Sequence, residues 1–312
     1  MAEAAKRKVP NPGQSRHAIT GKEARARLLE RVPVSERRLE LAGIATAVLE
    51  GGAGSPVVLL HGPSGYAAHW MRVIPALVGS HRVIAPDLPG HGESRSDETL
   101  DADQVLAWLE ELIDRTCETP PALVGQLLGG AIAARFAIGR SDRIRQLVLV
   151  DSFGLRPFQP APEFGLALEQ FLQQPGVQTH RHLWGYCAFD IDTLRRRMSG
   201  VWDSFERYNI DLAGTASTQA ALSSLMRDFG FPAIPSGELA RIGVPTALIW
   251  GRHDLATPLA AAEAASTEFG WPLQVIDRCA DDPPIEQPEA LSQALLEAFG
   301  DASLAWERSD PL

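Results

Sequence analysis

The chain has 312 residues, of which 45% are hydrophobic and 22% charged, so it can bury a large core and suits one α/β domain with an insertion. Its formal net charge of −10 argues against nucleic acid as a partner, because the phosphates would be repelled. No apolar run approaches the ~20 residues of a membrane span, and the N-terminal residues lack the apolar stretch of a secretory signal.

The three cysteines, Cys117, Cys187 and Cys279, are widely spaced and odd in number. This pattern fits a reducing compartment and predicts no disulfide framework. We therefore expect a cytoplasmic protein whose partner is a small molecule, with no nucleic acid or membrane partner. The sequence does not indicate an oligomeric state.

The first predicted elements form an N-terminal extension over residues 1–36. Residues 1–20 are polar and are expected to be loose, whereas residues 21–31 are rich in strong helix formers and predict a helix. Residues 38–49, with a turn at Ala42-Gly43, then predict a β-hairpin.

Two strand-and-loop units follow the hairpin. Residues 56–60 form a continuous apolar run, typical of a strand buried in a parallel sheet, and lead into His61-Gly62-Pro63-Ser64-Gly65 and a helix that carries His69. A second short run at residues 82–85 leads into a turn over residues 86–94.

A tight strand-to-helix turn comes next. Residues 121–124 predict a strand, residues 131–137 predict a buried helix, and between them lies Gly125-Gln126-Leu127-Leu128-Gly129-Gly130. Glycines bracket such a turn because it leaves no room for side chains and strains the central residue, which here is Leu127. The arrangement is that of a nucleophile elbow with leucine at its centre.

Three further segments complete the pattern. Residues 146–152 predict the strand after the elbow helix, and residues 245–254 predict a strand and loop that end at Asp254. Residues 280–290 carry Asp281 followed by Glu286-Gln287-Pro288.

In this order, the motifs resemble those of the α/β-hydrolase superfamily, in the capped branch that includes epoxide hydrolases and C–C hydrolases. The resemblance covers about residues 37–300. It implies an α/β fold with a mostly parallel central sheet flanked by helices, formed by residues 37–153 and 240–300. It also implies an inserted helical cap over residues 154–239 and a C-terminal tail over residues 301–312.

The resemblance places the family's catalytic Ser, Asp and His at Leu127, Asp254 and Asp281, so only the acid matches. One donor of the oxyanion hole is also in doubt, because Pro63 stands where a backbone N–H is expected and proline has none. Covalent catalysis needs a nucleophile, a base and oxyanion donors. We therefore do not expect an acyl-enzyme.

Asp254 and Asp281 remain as candidate catalytic residues. In the family these two positions are joined by a hydrogen bond, and two carboxylates in contact inside an apolar cavity cannot both stay ionised cheaply. One of them is expected to hold a proton, so the pair could act as general acid and base without a covalent step. Alternatively, water relaxes the pair, or Arg252 or Arg278 neutralises it.

The predicted cap is rich in aromatic residues that could line an apolar pocket above Leu127 or form the core of the cap itself. These residues are Trp184, Tyr186, Phe189, Trp202, Phe205, Tyr208, Phe229 and Phe231. The residues proposed to bind substrate are Pro63, Ser64, Gln126, Leu128, His253, Trp184 and Tyr186.

The remaining histidines have structural alternatives. His180 and His182 lie two apart, so on a helix they face different sides, and either is expected to be a solvated surface residue unless it serves as a substitute base. His253 adjoins Asp254 and could point away from the site. We expect the residues that brace the pocket loops to be His61, His91 and Asp87.

Neither a metal nor another cofactor is expected, because no Cys or His has a ligating pattern near the acidic residues and no dinucleotide fingerprint is present. Three functions remain open. The first is a non-covalent acid/base enzyme, namely a lyase, isomerase, cyclase or water-activating hydrolase. The second is a non-catalytic ligand-binding protein, and the third is an ester or C–C hydrolase with a nucleophile relocated to Ser64, Ser152 or Cys279.

Overall fold

The computed structural model describes residues 19–95 and 100–300. The predicted loose N-terminus is therefore described only at Ile19 and Thr20, and the predicted tail over residues 301–312 lies outside the described residues. The strands are β1 (Ser35–Leu41), β2 (Ile44–Gly51), β3 (Ser55–Leu60), β4 (His81–Pro86), β5 (Ala122–Gln126), β6 (Gln146–Val150), β7 (Thr246–Gly251) and β8 (Leu273–Ile276).

These strands form one eight-stranded sheet in the order β1-β2-β4-β3-β5-β6-β7-β8. The pairs β1/β2 and β2/β4 are antiparallel, and all the other neighbours are parallel. The predicted mostly parallel sheet and the opening hairpin are confirmed. The central strands are buried on both faces, which is why each reads as an unbroken apolar run.

Helices cover both faces of the sheet and fill the segment between β6 and β7. The helices are α1 (Gly21–Leu29), α2 (Ile74–Leu77), α3 (Ala102–Thr116), α4 (Leu128–Gly139), α5 (Pro162–Gln173), α6 (Val177–Cys187), α7 (Ile191–Arg197), α8 (Trp202–Ala213), α9 (Ala216–Leu225), α10 (Ser236–Leu239), α11 (Ala260–Phe269), α12 (Pro283–Glu286) and α13 (Pro288–Phe299). A 3₁₀ turn spans Ala67–Trp70, and a π-helical turn spans Met226–Gly230.

The predicted N-terminal helix is α1, and a local signal defines its start. The Thr20 hydroxyl accepts a hydrogen bond from the Glu23 N–H, while the Glu23 carboxylate accepts one from the Thr20 N–H. This reciprocal cap satisfies two backbone donors at the helix end.

The segment between β6 and β7 contains helices α5 to α10 and no strand among its residues, all of which are described, and we refer to it as the helical insertion. It is joined to the sheet domain by Glu286 of α12, whose carboxylate accepts hydrogen bonds from the N–H groups of Phe189 (2.7 Å) and Ala280 (2.9 Å). Within the described residues, no helix is both long and apolar enough to cross a membrane.

Candidate active site

Leu127 occupies the apex of a strand–turn–helix at the end of β5. Its φ of 45° and ψ of −109° lie outside the usual regions for a residue with a side chain, and its N–H donates to the Val150 carbonyl at 3.0 Å. Two other residues with positive φ, Ser64 and Asp151, follow β3 and β6 at the same edge of the sheet. Backbone strain therefore concentrates around Leu127, as it does at many functional sites.

Glycines make the elbow possible through close backbone contacts. A Cβ on Gly125 would lie 2.3 Å from the Gly129 carbonyl oxygen, and one on Gly129 would lie 2.5 Å from the Leu60 carbonyl oxygen. A Cβ on Gly130 would lie 2.3 Å from the Ser152 hydroxyl. The elbow predicted from the glycine spacing is thus present, with a side chain at its apex that cannot act as a nucleophile.

A cavity of about 310 Å³ lies between the elbow and the helical insertion. Its walls are mainly apolar and come from Leu127, from the segment after β6, and from α5 and α6. The aromatic residues among them are Phe153, Phe158, Phe164, Phe171, Trp184 and Phe231. Such a lining suits a small, largely apolar molecule.

The polar groups of the cavity are gathered at one end. Gln126, at the end of β5, donates from its side-chain amide to the Asp281 carbonyl (3.1 Å) and to Asp282 Oδ1 (3.3 Å). Asp281 is 5% exposed, and its Oδ1 has no hydrogen-bond partner in the described structure. An unpaired buried carboxyl oxygen is costly, so this end of the cavity is suited to a ligand that completes the hydrogen bond.

His69 is a second polar residue of the cavity, and no sequence motif marked it as functional. Its Nε2 lies 2.9 Å and 2.7 Å from the two carboxylate oxygens of Asp282. The rings of Tyr66 and Phe205 pack against the imidazole with centroid distances of 5.7 Å and 5.6 Å. Its Nδ1 has no hydrogen-bond partner among the residues described. The result is a histidine oriented by a carboxylate at the cavity wall.

Asp254 does not form the hydrogen bond to Asp281 that we predicted. Its Oδ1 accepts from the N–H groups of Ala256 (2.7 Å) and Thr257 (2.8 Å), and its Oδ2 accepts from the Thr257 hydroxyl. Its close carboxyl neighbour is Asp151, which is fully buried at the end of β6. Asp254 therefore lies behind the cavity wall and is not among the residues that line the cavity.

The buried carboxyls nevertheless interact through their charges. Burial is the main cause that raises the pKa of Asp281 well above its usual value, and the charges of Asp254, Asp282 and Glu286 raise it further. Burial likewise raises the pKa of Asp254 to about 7 and that of Glu286 to about 7. The raised pKa values thus extend over a group of buried carboxyls, without the direct contact between Asp254 and Asp281 on which the predicted proton sharing depended.

Cys187 on α6 also lines the cavity and was not predicted to do so. Burial raises the pKa of its thiol well above the usual range, and the negative charges of Asp281 and Asp282 add to this effect. The thiolate is the reactive form of cysteine, so these surroundings oppose a nucleophilic role.

The residues predicted to bind substrate divide into two groups. Pro63, Ser64, Gln126 and Trp184 line the cavity. Tyr186 and His253 do not, because they face a second, more open cavity of about 480 Å³ beside Phe189 and Asp254. Leu128 is fully buried in the core. Tyr186, His253 and Leu128 are therefore not among the residues that line the cavity beside Leu127 and Asp281.

Of the other aromatic residues in the insertion, four belong to its packed interior. Trp202, Phe205, Tyr208 and Phe229 are buried and do not line the cavity. Phe231 lines the cavity while remaining 53% exposed, which places it at the rim. The cavity takes its other aromatic residues from α5 and the segment before it, which were not predicted to line a pocket.

The expectation of a solvated His180 is wrong. His180 is fully buried, its Nε2 lies 3.1 Å from the Asn209 side-chain nitrogen, and its Nδ1 lies 3.7 Å from Glu206. Burial lowers the pKa of His180, which favours the neutral ring. His182 is exposed on the same helix, as expected.

The predicted bracing residues are buried within the loops around the cavity. Asp87 accepts hydrogen bonds from the N–H groups of Ala67 and Glu93, and His61 Nε2 accepts from the Leu88 N–H at 2.9 Å. His91 Nδ1 lies 3.0 Å from the Pro89 carbonyl oxygen. The contacts of Asp87 with Ala67 and of His61 with Leu88 join two loops of the sheet edge, and the contacts to Glu93 and Pro89 lie within the turn over residues 86–94.

The three candidates for a relocated nucleophile differ in position. Ser64 lines the cavity, whereas Ser152 is buried beneath α4 and donates to the Phe153 carbonyl at 2.8 Å. Cys279 is fully buried, and burial raises the pKa of its thiol far above the usual range. Only Ser64 is therefore placed to meet a ligand in this cavity.

We expect no stoichiometric labelling when the protein is incubated with a fluorophosphonate probe. The apex residue is leucine, and Ser64 has no hydrogen bond to a base among the described residues to activate its hydroxyl. Intact-protein mass spectrometry checks this, with trypsin labelled in parallel as the control. A single modified serine, mapped to Ser64, would instead support a relocated nucleophile.

The family model described as "Alpha/beta hydrolase family" matches residues 57–294. The 2-hydroxymuconate semialdehyde hydrolase of Pseudomonas sp. (strain CF600) is 29% identical over 88% of this chain and 96% of its own length. The 2-hydroxy-6-oxo-2,4-heptadienoate hydrolase of Pseudomonas putida is 30% identical over 71% of this chain and 80% of its own length. The solved meta-cleavage product hydrolase from Pseudomonas fluorescens IP01 has a TM-score of 0.71 and 26% identity, covering 86% of this chain and 99% of its own.

Proposed function

Because the chain belongs to the alpha/beta hydrolase family, we propose that it hydrolyses a small, largely apolar carbonyl compound by activating water directly, without an acyl-enzyme. The bond cleaved is proposed to be an ester bond or a C–C bond beside a carbonyl group. The relatives that support hydrolysis are one named a 2-hydroxymuconate semialdehyde hydrolase and a solved structure named a meta-cleavage product hydrolase, and both span most of the chain. In this proposal the helical insertion acts as a cap and Leu127 stands in the nucleophile's place. The observation that carries the proposal is the His69–Asp282 pair in the cavity wall.

His69 is proposed as the general base. Its Nε2 contacts both oxygens of Asp282, so the ring hydrogen of neutral His69 is held there and the lone pair lies on Nδ1. Nδ1 is buried and has no partner among the described residues, so a water admitted beside it would give its proton to this nitrogen. Asp282 would then stabilise the imidazolium, as a carboxylate does in a catalytic triad.

The hydrolytic step balances with these groups. Water gives its proton to His69 Nδ1, and its oxygen forms a bond to the carbonyl carbon. The tetrahedral intermediate then collapses as the bond to the leaving group breaks, and the leaving group takes the proton from Nδ1. The products are a carboxylic acid and the protonated leaving group.

The developing oxyanion needs donors, and two are proposed. Helix α4 begins at Leu128, and the first N–H groups of a helix have no acceptor within it. Leu128 would therefore act through its backbone, while its side chain stays in the core. Pro63 has no N–H to supply the second donor, so we assign that role to the Asp281 carboxyl, whose raised pKa favours the protonated form.

We expect the protein to hydrolyse p-nitrophenyl butyrate slowly, and His69→Gln to lower the rate at least 100-fold, because general base catalysis contributes about 10²–10⁴ in rate. Asp282→Asn should lower the rate by at least 10-fold, since it removes the group that orients the ring and stabilises its charge. Release of p-nitrophenol should show no burst, because no acyl-enzyme accumulates. Absorbance at stopped-flow time resolution measures both.

His182→Gln is the matched control, since His182 is exposed on α6 and lies outside the cavity. Equal rates for wild type and His69→Gln would contradict the role of His69. If wild type turned over none of the acetate, butyrate and octanoate esters above the uncatalysed rate, the chain would be a ligand-binding protein instead.

A further inference from the structure

Acidic side chains outnumber basic ones in the cavity lining. Its titratable side chains are Asp281, Asp282, Cys187 and His69, and no lysine or arginine is among the described residues that line it. His69 is the only basic group, and both oxygens of Asp282 already face its Nε2. Within the cavity lining, therefore, no basic group is left to neutralise a further negative charge beside Asp281.

More carboxyls stand behind this wall. Asp254 is 6% exposed and Asp151 is fully buried, and Glu286 is buried on α12. Their carboxyl groups accept hydrogen bonds mainly from neutral backbone N–H groups and a threonine hydroxyl, and none of the described bonds to these carboxyls comes from arginine or lysine. Arg197 does donate to the backbone carbonyl of Glu286 at 3.0 Å. The polar end of the cavity therefore sits in a negative potential.

Asp281 shows what a ligand carboxylate would experience at that end. Burial and the neighbouring charges of Asp254, Asp282 and Glu286 all act against its ionised form. A carboxylate of a ligand held beside Asp281 would meet the same loss of hydration and the same repulsion from Asp254, Asp282 and Glu286. An uncharged group would avoid both costs, and an ammonium group would be attracted.

We propose that this cavity selects ligands whose polar end carries no negative charge, and that an ammonium or neutral head group is preferred over a carboxylate on the same apolar skeleton. The unpaired Oδ1 of Asp281 is the acceptor for that head group, and the aromatic wall, including Phe171 and Trp184, holds the apolar part. This inference rests on the cavity used in the proposed function. It separates the chain from the relative named for a dienoate, which is a carboxylate.

The test compares three ligands of one skeleton, 4-phenylbutylamine, 4-phenylbutan-1-ol and 4-phenylbutyrate, by titration calorimetry with the full chain at pH 7.5 and low salt. The amine should bind at least as tightly as the alcohol, and the carboxylate at least 10-fold more weakly than the alcohol. Carboxylate binding equal to or tighter than that of the alcohol would overturn the proposal, as would the failure of all three ligands to bind.

Asp281→Asn identifies the group responsible. It should weaken binding of the amine at least 5-fold and leave binding of the alcohol within 2-fold, whereas Asp142→Asn, at an exposed position outside the cavity, should change neither. Unchanged amine binding in Asp281→Asn would count against the proposal. Binding is measured here without turnover. A failure of the esterase prediction therefore does not decide whether the predicted order of ligand affinities is correct.

Discussion

Gly125→Ala and Gly129→Ala should each lower the free energy of unfolding by about 3 kcal/mol or more. With a loss of this size, most of either variant should unfold on mild heating. The added methyl group would lie 2.3 Å from the Gly129 carbonyl oxygen in the first variant and 2.5 Å from the Leu60 carbonyl oxygen in the second. Both obstacles are backbone atoms of buried elements, so they cannot rotate away as a side chain can. Urea unfolding monitored by tryptophan fluorescence gives the free energies.

Gly139→Ala is the matched control for the two elbow variants. Gly139 ends the same helix, α4, and a Cβ there would meet nothing within 4 Å. Alanine at a helical position is favoured over glycine by roughly 0.5–1 kcal/mol, so this variant should be as stable as wild type or slightly more stable. Similar stability for Gly125→Ala and Gly139→Ala would mean that the elbow is not as tightly packed as the structure indicates.

The sheet and its strand boundaries could be predicted because parallel strands buried on both faces leave an unmistakable pattern. The apolar run predicted at residues 56–60 is β3 (Ser55–Leu60), and the run at residues 82–85 is β4 (His81–Pro86). The elbow was equally accessible, since glycine spacing reports backbone crowding directly. These features depend on local sequence.

The site was predicted less completely because its polar contacts are long-range. His69 and Asp282 are 213 residues apart, and nothing in either segment marks the other as a partner. Asp254 is different, because its partners Ala256 and Thr257 are local and the Asp-x-x-Thr spacing of residues 254–257 is a turn signal that could have revealed that the carboxylate was already satisfied. The rotation of the insertion helices, which turns Trp184 toward the cavity and Trp202 away, depends on tertiary packing that periodicity does not encode.

Two buried carboxyls should contribute a loss of stability as pH rises from about 4 to about 7. Burial raises the pKa of Asp254 from 3.8 to about 7 and that of Glu286 from 4.5 to about 7, so both hold protons in the folded state that they have lost in the unfolded state. The buried His61, His91 and His180, whose pKa values burial lowers, contribute in the opposite direction. A tenfold change in proton affinity corresponds to about 1.4 kcal/mol. The raised pKa of Asp254 alone therefore lowers the free energy of unfolding above pH 7 by on the order of 4 kcal/mol relative to pH 4 or below. Urea unfolding between pH 4 and pH 8.5 measures the slope.

Asp281→Asn should flatten that pH dependence and stabilise the protein by on the order of 1–3 kcal/mol at pH 8, with little effect at pH 4. The amide keeps the shape of the side chain, cannot ionise, and removes one charge from the group that includes Asp254, Asp282 and Glu286. The gain is largest at high pH because only there are the carboxyls driven to ionise together. Asp142→Asn, at an exposed position, should follow the wild-type curve throughout. If the Asp281→Asn curve ran parallel to wild type over the whole range, the buried carboxyls would not be coupled, and the protonated Asp281 that the proposed oxyanion site requires would lose its physical basis.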